Sequence, residues 1–226
     1  MELTYYGHSC FLLKTGETGI LFDPFITHNQ LAQHIDLKTI KAEYILLSHG
    51  HGDHVADVEV LAKQSDATLV GQPEVTTWFS NKGIKKSHQM NTGGKKTFAF
   101  GTVKMVNAVH SSSMPDGSYG GNPAGYVIQA EGKTIYFAGD TALTYDMKII
   151  GEQFEVDYAL LPVGDNFTMG PEDALIAADW VKAKHTIAMH YDTFPPVAID
   201  KKAVSELAQK ASKDLIFMEI GQTITI

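Results

Sequence analysis

The chain has 226 residues, 44 % of them hydrophobic, and a formal charge of −8 at pH 7. That is enough apolar material for a sizeable core, and the length predicts one α/β domain over residues 1–226. The acid balance disfavours nucleic acid and anionic membranes as partners, because both are held by lysine and arginine displacing counterions, and the chain contains no arginine at all.

From the amino terminus, residues 3–6 read as a strand with no basic leader before them. No later stretch approaches the roughly 18 consecutive apolar residues of a membrane span, so the expectation is a protein that is neither exported nor embedded. The lone Cys10 excludes an internal disulfide and fits a reducing compartment, with the cytoplasm as the default. Gly7-His8-Ser9 then reads as a tight turn, followed by strands at 11–13 and 19–22, the second ending on Asp23.

The next apolar run, 44–47, leads through Ser48 into His49-Gly50-His51-Gly52-Asp53-His54. Four metal-capable side chains within six residues at the end of a buried strand repel one another or sit poorly solvated unless a cation gathers them. Val55, Val58, Leu61 and Ala62 then fall on one face of a helix. A strand at 68–70 follows, and the lysine pairs at 85–86 and 95–96 read as solvated turns between strands.

Further strands are predicted at 103–109, 126–128, 134–137, 158–163, 186–189 and 223–226. The segment 110–123 is a long irregular loop, either a floppy connection or an active-site loop, and its opening His110 favours the second reading. Serines 111 to 113 lack the surroundings of a nucleophile elbow and read as loop filler. Gly170-Pro171-Glu172-Asp173 marks a helix start, and Ala203, Val204, Leu207, Ala208 and Ala211 share the face of another helix. Strands first, then strands alternating with helices, predict sheets covered by helices.

One regularity links the remaining polar candidates. Asp23, His110, Asp140, Asp165 and His190 each follow an apolar strand-like run, and strand ends gather at one rim of a sheet. A strand-end carboxylate alone is more often a turn former than a ligand, but five such positions of suitable chemistry reverse that balance. His185 and His190 compete for one place. In an extended strand they lie roughly 16 Å apart and on opposite faces, so only one reaches the centre, and His190 stands where the strand emerges. His28, His34 and His88 lie in unpatterned surroundings and receive no role.

The series His49-x-His51-x-Asp53-His54, His110, Asp140 within Ala138-Gly139-Asp140-Thr141, and His190 resembles the motifs of the metallo-β-lactamase superfamily. The flanks Tyr6-Gly7-His8-Ser9, Leu21-Phe22-Asp23-Pro24, the run 164–169 and the run 189–194 are similar to a narrower branch of compact metal-dependent hydrolases. That branch is distantly similar to ascorbate-6-phosphate lactonases and to phospholipase D enzymes acting on N-acyl phosphatidylethanolamine. The resemblance implies a four-layer αβ/βα sandwich with a dinuclear centre at one edge. It assigns His49, His51 and His110 to a first metal and Asp53, His54 and His190 to a second, with Asp140 bridging. It also places His8 near the metal pocket, as a neighbour of the ligands or of the substrate.

Asp23 is a candidate acceptor for the second ring nitrogen of a ligand histidine, and Asp165 is another at the rim. Two divalent ions there supply a hydroxide for an ester, lactone or phosphoester bond of a small-molecule substrate, with Asp140 or Asp53 orienting it. Zinc is the first choice for an imidazole-rich set, with manganese, iron or nickel as alternatives. The competing readings are a mononuclear iron oxygenase of the same fold and a metal-stabilised scaffold without activity. Nuclease action is weak for want of arginine, β-lactamase action for want of an export signal, and nothing in the sequence indicates a homo-oligomer.

Overall fold

The computed structural model describes residues 1–226. Its first part runs β1 (Glu2–Gly7), β2 (Cys10–Thr15), β3 (Thr18–Phe22), β4 (Tyr44–Leu46), α1 (Gly52–Val55), α2 (Val58–Ser65), β5 (Thr68–Gly71), α3 (Pro73–Asn81) and β6 (Ser87–Gln89). The second part runs β7 (Lys95–Phe98), β8 (Gly101–Asn107), β9 (Ala124–Ala130), β10 (Lys133–Phe137), α4 (Asp146–Gln153), β11 (Tyr158–Pro162), α5 (Pro171–Trp180), β12 (His185–Met189), α6 (Lys201–Lys210), β13 (Leu215–Ile216) and β14 (Thr223–Thr225). No helix is long and apolar enough to cross a membrane.

The strands form two sheets of seven, ordered β14-β1-β2-β3-β4-β5-β6 and β13-β12-β11-β10-β9-β8-β7. Each sheet begins with antiparallel neighbours and changes to parallel ones, at β3–β4 in the first and at β10–β11 in the second. The parallel strands need crossovers, and helices α2, α3, α4, α5 and α6 supply all but the one from β3 to β4. In consequence β3, β4, β10, β11 and β12 deliver their carboxyl ends, and the residues that follow, to one rim.

Packing explains why the strands read as continuous apolar runs. Leu21, Ile45 and Leu69 stand side by side in register, as do Phe22, Leu46 and Val70. The first set packs outward against Val58, Leu61, Val75 and Phe79 of the helices, and the second packs inward with Tyr126, Phe137 and Leu160 of the other sheet. A strand buried on both faces loses the alternation of polar and apolar residues. With α4 and α5 covering the second sheet through Met147, Ile150, Ala174 and Ala178, the layers are helix, sheet, sheet, helix. The four-layer expectation therefore holds.

Two local expectations need correction, and one open alternative is decided. Lys95 and Lys96 do not lie in a turn but in the edge strand β7, exposed, where their charge discourages pairing with a foreign strand. The face Val55 to Ala62 belongs to two short helices, because Asp57 leaves helical geometry to accept the Ile26 and Thr27 backbone N–H groups at 2.6 and 2.9 Å. Segment 110–123 is no floppy connection. Its Met114 is 2 % exposed in the core beneath the helices, Ser113 bridges to Tyr119, and Trp78 Nε1 donates to Asp116 at 2.7 Å.

At the end of the second sheet remote from the rim, Asp157 ties three strands together. Its carboxylate accepts the Thr134 N–H and the Lys184 ammonium, each at 2.8 Å, and its carbonyl accepts the His185 N–H. Burial alone would raise this carboxyl, but the Lys184 and Thr134 bonds hold it below its ordinary value. A depressed folded-state pKa contributes stability above the unfolded value, and that contribution is lost as pH falls through the folded one. Asp157→Ala is expected to cost about 1–2 kcal/mol at pH 7. Urea denaturation should show the gap between variant and parent closing below about pH 4, the unfolded carboxyl range.

Candidate metal centre

At the rim, Ser48 ends the strand run of β4 and is fixed from three directions. Its N–H donates to Asp23 Oδ1 at 2.8 Å, its hydroxyl donates to Asp23 Oδ2 at 2.5 Å, and its carbonyl accepts the Ala124 N–H at 2.9 Å. Gln72 Nε2 donates to the same carbonyl at 2.9 Å, while Tyr126 of β9 donates to the Leu47 carbonyl at 2.6 Å. The turn carrying His49 is thus bolted to both sheets. Gly50 leaves room for Met114, whose sulfur would lie 2.5 Å from an added Cβ.

This anchoring sets the histidine tautomers. The Ser48 hydroxyl spends its proton on Asp23, so it accepts from His49 Nδ1–H at 2.9 Å, which leaves His49 Nε2 as a free lone pair 2.9 Å from His51 Nδ1. His54 Nδ1–H donates to Asp23 Oδ2 at 2.8 Å, and its Nε2 lone pair faces Asp140 Oδ2 at 3.3 Å. Asp23 therefore acts on His54 as an orienting acceptor, the contact anticipated for it.

Three groups of ligand-capable atoms result; one is Asp23 with His49 and His54, and the other two are the candidate metal clusters. His49, His51 and His110 bring such atoms within 4.8 Å of one another, and so do His8, Asp53, His54 and His190. Asp140 Oδ2 stands between them, 3.6 Å from His110 Nε2, 3.0 Å from His190 Nε2 and 3.3 Å from His54 Nε2. Asp53 Oδ2 lies 4.0 Å from the Nε2 atoms of His54 and of His190. All seven residues named for the metals in the sequence converge, from both sheets.

The electrostatics fit a cation. His54 Nε2, His190 Nδ1 and Asp140 Oδ1 are buried without a hydrogen-bond partner, and no lysine pairs with Asp23, Asp53 or Asp140, whose ion-pair partners are histidines. Burial pushes the His49 imidazole well below the usual range and so keeps it neutral. Burial would raise Asp140, but His190 and His54 drive it well below an ordinary carboxyl, and His8 and His54 do the same for Asp53. Burial would lower His54, yet Asp140 and Asp23 on its two sides raise it strongly. A lone pair facing a carboxylate calls for positive charge between them, and a divalent metal supplies more of it than a proton.

His8 joins the second cluster. Its Nε2 lies 3.2 Å from Asp53 Oδ2, its Nδ1 lies 2.9 Å from Thr193 Oγ1, and its ring lies 4.0 Å from that of His190. Burial and neighbouring His190 pull its pKa down to about 4. His8, Asp23 and His190 all occupy left-handed backbone, at φ of 56°, 40° and 57°, a conformation that costs a non-glycine residue energy and clusters at functional sites.

Other candidates fall outside. Asp165 is exposed, and its left-handed turn aims the carboxylate at the Asn166 N–H, 2.8 Å away, so it orients no ligand histidine. His185 sits at the opposite end of β12, 2.5 Å from Asp214 and stacked on Tyr158. Because exposed ion pairs contribute little, His185→Ala should keep full metal content and turnover. Loss of metal there, measured by elemental analysis, would reverse the choice of His190. Ser112, read as filler, instead accepts the Gly50 N–H at 3.1 Å and donates to the Gly120 carbonyl at 2.8 Å, holding the loop to the histidine turn. Ser48 and Thr193 were not anticipated either. Only the place of Ser48 between strand and motif hinted at its role.

Residues 18–191 match the model of the beta-lactamase superfamily domain. The chain is 49 % identical over 226 residues, the full length of both proteins, to a UPF0173 metal-dependent hydrolase of Flavobacterium johnsoniae. It is 44 % identical over 231 residues, again all of both, to the UPF0173 metal-dependent hydrolase YtkL of Bacillus subtilis. Among solved structures, the metallo hydrolase Igni18 of Ignicoccus hospitalis is similar at a TM-score of 0.90 and 32 % identity, covering 100 % of this chain and 97 % of that one.

Proposed function

The chain belongs to the metallo-β-lactamase superfamily as a metal-dependent hydrolase, and from that premise we propose a dinuclear centre that hydrolyses an ester, lactone or phosphoester bond of a small molecule. His49, His51 and His110 would hold one ion and Asp53, His54 and His190 the other, with Asp140 placed to serve both. Zinc suits this imidazole-rich set, with manganese, iron or nickel as substitutes. The observation that carries the reading is the position of Asp140 Oδ2, within 3.6 Å of histidines from both clusters. A single closed structural site has no use for a carboxylate at such a junction.

When bound, divalent cations there supply an acidified water as nucleophile and Lewis acidity for the attacked oxygen. The protein supplies position and proton traffic. Asp53, whose side chain is 30 % exposed and braced by His8, is the carboxylate placed to accept a hydrogen bond from the attacking water and orient it. Asp140, almost wholly buried, holds its place between the two clusters. Asp23 and Ser48 keep His49 and His54 in the tautomers whose Nε2 lone pairs point inward. One domain, residues 1–226, provides every group.

The test is to strip the protein with a chelator and add metals back singly. Content by elemental analysis should reach two ions per chain, and hydrolysis of an aryl ester, a lactone or a phosphodiester should return with it, with or without oxygen. One ion per chain at full activity would sink the dinuclear assignment, and activity that needs oxygen would sink hydrolysis.

A further inference from the structure

Two features of the mouth speak to the substrate, on the premise of the hydrolytic reading above. The first is an exposed apolar rim. Val109, immediately before His110, is 48 % exposed, and Phe167 is 57 % exposed. Both ride on the residues that follow Asp140. The Val109 N–H donates to Thr141 Oγ1 at 3.0 Å, its carbonyl accepts the Ala142 N–H at 3.0 Å, and the Met169 N–H donates to the Thr141 carbonyl at 3.0 Å. Phe167 is held out by two successive left-handed residues, Asp165 and Asn166, at φ of 59° and 55°. Non-glycine residues in that region cost of order 1–3 kcal/mol each, and here they present an aromatic ring to solvent. Beside His8, the half-buried Phe194 lies 5.7 Å from the imidazole and 6.0 Å from Phe25, which is buried behind it.

The second feature is the lack of fixed positive charge. The chain has no arginine, and the lysines that form ion pairs are engaged with Glu59, Asp66, Asp157, Asp179 and Asp192, none of them a member of either cluster. A phosphate or carboxylate on the substrate away from the reacting bond would therefore meet no guanidinium fork, and the ammonium that lines the cavity beside His8, that of Lys201, is already paired with Asp192 at 3.4 Å. Apolar pockets with few polar groups select by buried area.

We infer that the substrate is an uncharged ester or lactone with an aliphatic or aryl group, which Val109, Phe167 and Phe194 receive. A phosphorylated sugar derivative lacks the matching surface. Phe167 determines specificity through contact area and takes no part in the bond-breaking step.

The experiment compares 4-nitrophenyl esters from acetate to octanoate with 4-nitrophenyl phosphate, on the metal-loaded protein. The expected result is a rise in kcat/KM of roughly two- to fourfold per added methylene over the first several carbons, with the phosphate monoester the poorest substrate. Phe167→Ala should flatten that rise while metal content is retained. Val60→Ala, which trims an apolar side chain 47 % exposed on α2, should leave the rise as it is. A flat series, or the phosphate monoester as the best substrate, overturns the inference and leaves hydrolysis standing. Should Phe167→Ala change the sedimentation coefficient and leave the slope intact, the ring contacts a second copy of the chain and the inference again fails. Should no ester turn over, calorimetry with acetate through octanoate decides. Tighter binding of the longer acids, lost in Phe167→Ala, upholds the apolar site and removes only the hydrolytic reading, whereas equal affinities remove the site.

Discussion

Asp140→Ala will abolish turnover while leaving the far-ultraviolet circular dichroism of the protein in place. The side chain is 2 % exposed and lies after β10, beyond the hydrogen-bonded ladder, so the sheets do not depend on its carboxylate. The site does. Its Oδ2 meets His54, His110 and His190 at 3.3, 3.6 and 3.0 Å. Truncation leaves the His49, His51 and His110 cluster with no carboxylate and the other with Asp53 alone. The loss should exceed the 10- to 100-fold expected of a merely orienting residue, and bound metal should fall by at least one ion per chain. Excess metal should not restore the rate. Parental activity in this variant would refute the shared-ligand assignment.

Asp23→Ala should behave differently, failing in stability as much as in catalysis. Asp23 is fully buried and accepts from the Ser48 N–H, the Ser48 hydroxyl and His54 Nδ1–H. Removing it strands three buried donors, and breaking a buried charged contact of this kind costs about 3–5 kcal/mol. Metal affinity should drop 10- to 100-fold because His54 loses its fixed tautomer and orientation. Unlike Asp140→Ala, the variant retains every proposed ligand, so raised metal concentration should recover much of the rate. Chemical denaturation in the presence of chelator reads the first effect and a metal titration of activity reads the second. A variant with unchanged stability and unchanged affinity would show that Asp23 only completes a turn.

The site was far more legible in the sequence than the periphery, for a physical reason. A ligand must be one of a few residue types, and in this fold it sits where a buried strand ends, so His49, Asp140 and His190 announce themselves by an apolar run followed by an imidazole or a carboxylate. The buried strands β4, β10, β11 and β12 were legible for the same cause, since a segment covered on both faces has no polar residues to confuse it. The edges were not. β6 carries Ser87, His88 and Gln89, and β7 carries Lys95 and Lys96, because an edge strand is partly solvated and chosen for charge. Helix α3 shows at Pro73-Glu74 the same entry signal as α5 at Pro171-Glu172, with Val75, Trp78 and Phe79 at helical spacing behind it, so it was legible in the sequence although it went unread. Asp165 illustrates the opposite error. It obeys the strand-end rule and shares its left-handed backbone with Asp23, yet it is exposed and accepts from the Asn166 N–H where Asp23 accepts from Ser48 and His54, a difference composition does not encode.

The two clusters each draw on both sheets: His49 and His51 meet His110, and Asp53 and His54 meet His190, while Asp140 joins them. A growing chain that has completed only β1 to β6 holds the first members of each set and none of the second. High affinity for a cation should therefore appear late, when β12 docks, which makes metal capture a seal on finished assembly and excludes it as a template for early folding. The ion's contribution to stability then follows its free concentration by mass action, about 2.7 kcal/mol at a hundred times the dissociation constant, so cellular metal supply tunes how long the two sheets stay clasped.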